Sequence, residues 1–279
     1  MARLFSPADL SGILEKSATR PSARAMALAA DLKCLSYLAR FGHLNSAALG
    51  AAIWPNIKYG QDMATRTLRR LSASGVELVA SRHNATGGRS WILTRRGVAF
   101  LEVRGIAAHH GMDLASISGS TFFHHSLCSR LLIEKERAGF GVWHEYAIAQ
   151  GHAPLSQRQL IEGYGKLPDA ILTAENRLYL LELENAPKQT EILQLACGAA
   201  LKVGRRLHPD CQLELAGLIF AYNAEQTGHA VRIARAARVR WSQYGAAEQA
   251  RLARHVELVK IQLALPLVWL GYEAAPLTL

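Results

Sequence analysis

Along the first hundred residues the spacing of apolar positions changes once, and the change marks the elements. Leu28, Leu32, Leu35 and Leu38 recur three and four residues apart, which predicts a helix over 24–41, opened by Pro21-Ser22 and stopped by Gly42. A short second helix follows, with Asn45 or Ser46 as its N-cap, Leu49, Ile53 and Trp54 as its apolar face, and Pro55 at its end. A third is predicted over 61–74, before Gly75. The period then falls to two. Residues 76–82 and 89–94 alternate as half-buried strands do, and the turn-rich stretch from His83 to Gly88 between them predicts a hairpin. Thr94 caps a further helix through Leu101 and Val103, and 105–120, small and polar without a sustained period, reads as a linker.

From Thr121 onward helices and strongly apolar strands alternate. Helices are predicted over 122–138, 190–203 and 228–241, and strands over 142–149, 169–174, 178–184 and 213–222, with a closing apolar segment at 256–269. That alternation predicts a sheet covered on both faces. The expected organisation is therefore a domain over 20–104, the linker, and an α/β domain over 121–272.

Charge changes the picture once it is located. The 279 residues carry a net charge of +10, but residues 1–110 hold 15 Lys and Arg against 6 Asp and Glu (+9), and the remainder holds 17 against 16 (+1). A basic domain joined to a neutral one points to nucleic acid at the front. At about 100° per residue, Ala64, Leu68 and Leu71 cluster on one side of the third helix, with Arg66, Arg69 and Arg70 almost opposite. Lys58 stands before that helix, and Arg82, His83 and Arg89 stand in the hairpin. Three helices and a hairpin in this order resemble a winged helix-turn-helix, in which the third helix enters the major groove and the hairpin touches the backbone. A protein-docking role is the other use of such a domain. Arg232, Arg235 and Arg238, within about 120° of one another on a helix, form a second basic strip, for phosphates or balanced by nearby acids.

Other classes are disfavoured. The apolar stretch at 261–272 is short and interrupted by Gln262 and Pro266, whereas a membrane helix needs about 20 apolar residues. Asp9 and Glu15 interrupt any signal-peptide pattern. Cys34, Cys128, Cys197 and Cys211 make no CxxC pair, so reduced thiols and a cytoplasmic location are expected. The pairs His109-His110 and His124-His125 lack a carboxylate at ligand spacing and read as surface or packing residues.

One constellation remains. Pro168-Asp169 opens a strand, and its partner ends in Glu182-Leu183-Glu184, with both glutamates on one face. Acids converging at a sheet edge repel unless a cation lies between them, or they simply end strands at a solvent edge. The order helix, strand, Pro-Asp strand, Glu-x-Glu strand, helix, strand over 121–222 resembles the PD-(D/E)xK, restriction-endonuclease-like superfamily. The resemblance implies an α/β/α sandwich with a mixed central sheet, and Asp169 and Glu182 as Mg²⁺ ligands. The third motif position holds Glu184 where the superfamily has lysine. Lys188 or Lys166 would then supply the cation from a displaced position, and Glu134 is a further candidate ligand or part of a solvated charge run.

A winged helix ahead of such a domain is similar to the replication-relaxation family of plasmid proteins. That resemblance implies an accessory factor of plasmid mobilisation or replication that binds double-stranded DNA and helps a relaxase and its origin assemble, with a coupling protein as another candidate partner. Separately, no cofactor is expected to be required, with Mg²⁺ as the one candidate, and a homodimer is one candidate assembly. The competing expectations are an active Mg²⁺-dependent deoxyribonuclease and a plain winged-helix transcriptional regulator.

Overall fold

A computed structural model describes residues 22–83, 88–113, 118–185, 189–226, 228–264 and 268–279. The chain is mixed α/β and divides into two units, with the division between Ala138 and Gly139.

The first unit contains α1 (Ala23–Phe41), α2 (Ser46–Ile53), α3 (Gly60–Leu71), β1 (Val79–His83), β2 (Arg89–Leu93), α4 (Arg95–Glu102) and α5 (Gly119–Arg137). Its helix starts are set by side-chain caps: Ser22, Asn45, Thr94 and Ser118 each accept a backbone N–H from the first turn. Gly42 closes α1 at φ 75°, donating to the Leu38 carbonyl. Burial on α1 is concentrated beyond Asp31; Leu28, at the start of the predicted stripe, is exposed. α2 and α3 meet at a glycine: a Cβ on Gly50 would lie 2.6 Å from the Gln61 nitrogen.

The hairpin strands pair antiparallel from Val79↔Leu93 to His83↔Arg89, and Leu44 bridges Trp91 beside them. The first strand starts three residues later than the alternation predicts, because Gly75 and Glu77 take positive φ (84° and 50°) and hold the chain in a turn. Residues 84–87 of the predicted turn lie outside the described residues.

Two boundaries differ from the sequence reading. The expected linker is packed as far as it is described: Ile106 and Ala108 are buried, Gly111 N–H donates to Leu93 O, and Met112 N–H donates to Gly42 O. Helix α5, expected to open the second domain, belongs to the first unit. Its Glu136 accepts the Tyr37 hydroxyl at 2.8 Å and pairs with Arg40 at 2.7 Å, and Phe122 stacks on His43 with centroids 5.1 Å apart. These contacts leave the charge partition intact, with 18 Lys and Arg against 9 acids to residue 138 and 14 against 13 beyond it.

The second unit contains β3 (Gly141–His144), α6 (Glu145–Ala149), α7 (Gln157–Tyr164), β4 (Ala170–Ala174), β5 (Arg177–Glu184), α8 (Thr190–Gly198) with a 3₁₀ turn to Lys202, β6 (Glu214–Asn223), α9 (His229–Arg240), α10 (Ala246–Ala253), β7 (Val256–Ala264) and β8 (Val268–Pro276). The six strands lie in sequence order in one mixed sheet. β3, β4 and β5 run antiparallel, β6 and β7 continue parallel to β5, and β8 returns antiparallel. One core joins Leu178, Leu180, Leu218 and Phe220 of the sheet to Leu160, Tyr164, Leu193, Cys197, Ile233 and Trp241 of the helices. The predicted strand over 142–149 breaks after His144, whose Nδ1 accepts the Tyr146 N–H and starts α6. The closing apolar segment becomes two strands, with residues 265–267 outside the description.

Candidate nucleic-acid interface and buried acid cluster

Helix α3 has the two faces its sequence predicts. Ala64, Leu68 and Leu71 are buried, while Arg66, Arg69 and Arg70 are exposed. The three arginines are not equivalent. Arg70 donates through both terminal nitrogens to Asp31 of α1, at 2.9 and 2.6 Å, a fork-to-fork pair that fastens α3 onto α1. Burial raises the Asp31 carboxyl, and the charge and hydrogen bonds of Arg70 oppose that rise. Arg66 and Arg69 have no carboxylate within 4 Å among the described residues. Lys58 is exposed with its ammonium 5.7 Å from the Tyr59 ring centre. On the hairpin, Arg82, His83 and Arg89 are all exposed, with His83 directly across from Arg89.

In the second unit the sheet brings the acids together from different elements. Asp169 precedes β4; its N–H donates to Leu181 O at 3.0 Å, and its Oδ2 accepts the Leu183 N–H at 2.6 Å. The side chain thus clamps the start of one strand to the end of the next. Glu182 and Glu184 share the helix-covered face of β5 and are each 1% exposed. Tyr164, at the end of α7, donates its hydroxyl to Glu182 Oε1 at 2.7 Å, and Lys166 pairs with Oε2. Gly165 between them adopts φ 98°, a conformation that turns the chain sharply enough for both side chains to reach one carboxylate. Burial, then the charge and hydrogen bond of Glu182, push the Tyr164 hydroxyl well above its usual range. Burial, then Glu184 and Glu182, push the Cys197 thiol up to about 12. All four cysteines are free and buried.

Of the two displaced lysines, Lys166 sits on Glu182, and Lys188 lies outside the described residues. Glu134 pairs with Arg130 at 2.6 Å and Arg137 at 2.8 Å, as a charge run on α5 would. Glu145, which the sequence reading passed over, has a carboxylate oxygen within 4.8 Å of one on Asp169.

The Asp169–Glu182 pair does not fit a Mg²⁺ centre as arranged. Mg²⁺ keeps several waters and near-octahedral geometry, whereas Glu182 is closed off from solvent and both its oxygens are hydrogen-bonded. The Lys166 ammonium already supplies the positive charge that a cation would bring to it. A groove of about 300 Å³ near Tyr179, Gly217, Arg254, His255 and Glu257 lies toward the opposite end of β5 from these acids.

On the second basic strip, Arg235 and Arg238 are exposed and Arg232 is half-buried. Among the described residues no helix is long and apolar enough to cross a membrane. In comparisons with known proteins, the chain matches no family model, curated protein or solved structure.

Proposed function

We propose that this protein is a duplex-DNA-binding accessory factor, reading DNA through a winged helix-turn-helix in its first unit and carrying in its second a nuclease-like sandwich that does not cut. The observation that carries the reading is α3, which buries its apolar face and presents Arg66 and Arg69 without carboxylate partners. The hairpin cations and the +9 charge of the same unit support it. Arg70 acts here as a positioning residue that holds α3 at a fixed angle, not as a DNA contact.

The antiparallel β3–β4–β5 meander followed by parallel β6 supports the nuclease-like reading of the second unit. Saturation of Glu182 by Tyr164 and Lys166 supports the reading that it does not cut. The resemblance to the replication-relaxation family adds the biological setting: plasmid or mobile-element DNA, with a relaxase or coupling protein as partner. The unpaired cysteine pattern supports a cytoplasmic location.

Replacing Arg66 and Arg69 with alanine tests the DNA reading by mobility shift on duplexes from the gene's own neighbourhood. The double variant should lose the shifted band while keeping its circular-dichroism spectrum. An unchanged shift refutes the assignment of α3.

A further inference from the structure

The second unit is close to neutral, but its charge is unevenly spread. Residues 199–240 hold seven Lys and Arg against three acids (+4), whereas the rest of residues 139–279 holds seven against ten (−3). Helix α9, HAVRIARAARVR, contributes four arginines and no acid. It is firmly seated: Ile233, Ala236 and Ala237 are buried, and Trp241 just beyond its end donates Nε1–H to Cys197 O at 3.1 Å. Arg240 is exposed but reaches over α8, its Nε where a Cβ on Gly198 would come within 2.8 Å.

Arg235 and Arg238 are also exposed, about 60° apart around the helix, and without a carboxylate within 4 Å among the described residues. By contrast, Arg158 and Arg251 of the same unit are exposed and paired with Glu162 and Glu248. Val231 and Val239, 72% and 51% exposed, share the outward face. Their side chains are shorter than the arginines between them and would not hold a polyanion away.

We infer that Arg235 and Arg238 of α9 form a second, sequence-independent contact with the DNA phosphate backbone. Cβ atoms three residues apart on a helix are roughly 5–6 Å apart, and a DNA strand carries one charge per roughly 3.4 Å of axis. Each guanidinium therefore meets a phosphate in any register, and the contact carries no base information. The inference rests on duplex DNA being the ligand but not on α3 being the reader.

The test is fluorescence anisotropy of the full chain on a labelled 40-base-pair duplex of arbitrary sequence, across a salt series. Each phosphate contact contributes about 0.9 to the slope of log affinity against log salt. Arg235→Gln/Arg238→Gln should therefore lower the slope by about 1.8 and weaken binding about 10-fold or more at 0.1 M salt. Arg235→Lys/Arg238→Lys should keep the slope, and Arg158→Gln/Arg251→Gln, which removes the same net charge from ion-paired sites, should leave it unchanged. An unaltered slope in the first variant, or an equal loss in the third, overturns the inference. Loss of binding in Arg66→Ala/Arg69→Ala alone would leave the α3 reading standing without it, and the reverse pattern would leave α9 standing without α3.

Discussion

Replacing Lys166 with methionine isolates the feature that separates this acid cluster from a metal site. The change keeps the length and apolar stem of the side chain and removes the ammonium from Glu182, which is 1% exposed on the covered face of β5. Removing one partner of a buried ion pair costs about 3–5 kcal/mol, because the other charge is left uncompensated. The Lys166 side chain keeps 20% of its exposure and Tyr164 still donates to the carboxylate, so the lower end, about 3 kcal/mol, applies. For a unit of this size each kcal/mol lowers the melting midpoint by about 3 °C, giving a drop of about 10 °C. Adding Glu182→Gln removes the stranded charge while its amide oxygen still accepts from Tyr164, so the double variant should recover to within about 1 kcal/mol of the parent. Thermal unfolding followed by circular dichroism reads all three proteins. A Lys166→Met protein that melts within about 1 °C of the parent refutes the claim that this ammonium neutralises Glu182.

Three further outcomes follow from the first unit. His43 is 2% exposed, and burial, then the neighbouring His125, lower it from 6.5 to about 4, so the folded protein holds it neutral while the unfolded chain protonates it. Stability contributed by that difference is complete above pH 6.5 and falls as pH drops toward 4, by about 2–3 kcal/mol at pH 4.5; the unfolding free energy of the parent, from urea titrations, should fall by that much more than that of His43→Phe. Arg70→Ala strips a half-exposed guanidinium from the buried Asp31 carboxylate and should cost about 1–3 kcal/mol, yet leave the salt slope of DNA binding unchanged, because anisotropy reads phosphate contacts and Arg70 is spent on Asp31. Gly50→Ala would place a methyl 2.6 Å from the Gln61 backbone nitrogen, which cannot rotate away, and should cost about 1–3 kcal/mol in urea unfolding.

What the sequence made legible was local. Caps at Asn45 and Thr94 and the two faces of α3 follow from neighbours a few residues apart, and the structure has each of them. Long-range pairings were hidden. Asp31 sits on the Leu28, Leu35, Leu38 stripe, and an acid on a buried stripe signals a missing partner, but nothing local identifies Arg70, 39 residues on. Helix α7 has only eight residues and a weak apolar stripe, so Tyr164 was unforeseen and Lys166 was only one of two candidate lysines. The division between the units is not legible because nothing in the composition of α5, which is buried on several sides, says which unit it packs into. Its assignment depends on Phe122 and Glu136 meeting His43, Tyr37 and Arg40, which no periodicity reveals.

The most direct measurement is one agarose gel of supercoiled plasmid incubated with the full chain, with Mg²⁺, with Mn²⁺ and with chelator, run before and after protease treatment. DNA bound but not cut would be retarded in every lane and return to the supercoiled position once the protein is digested. Open-circular or linear DNA in the metal lanes, absent with Asp169→Ala or Glu182→Ala, would contradict the account.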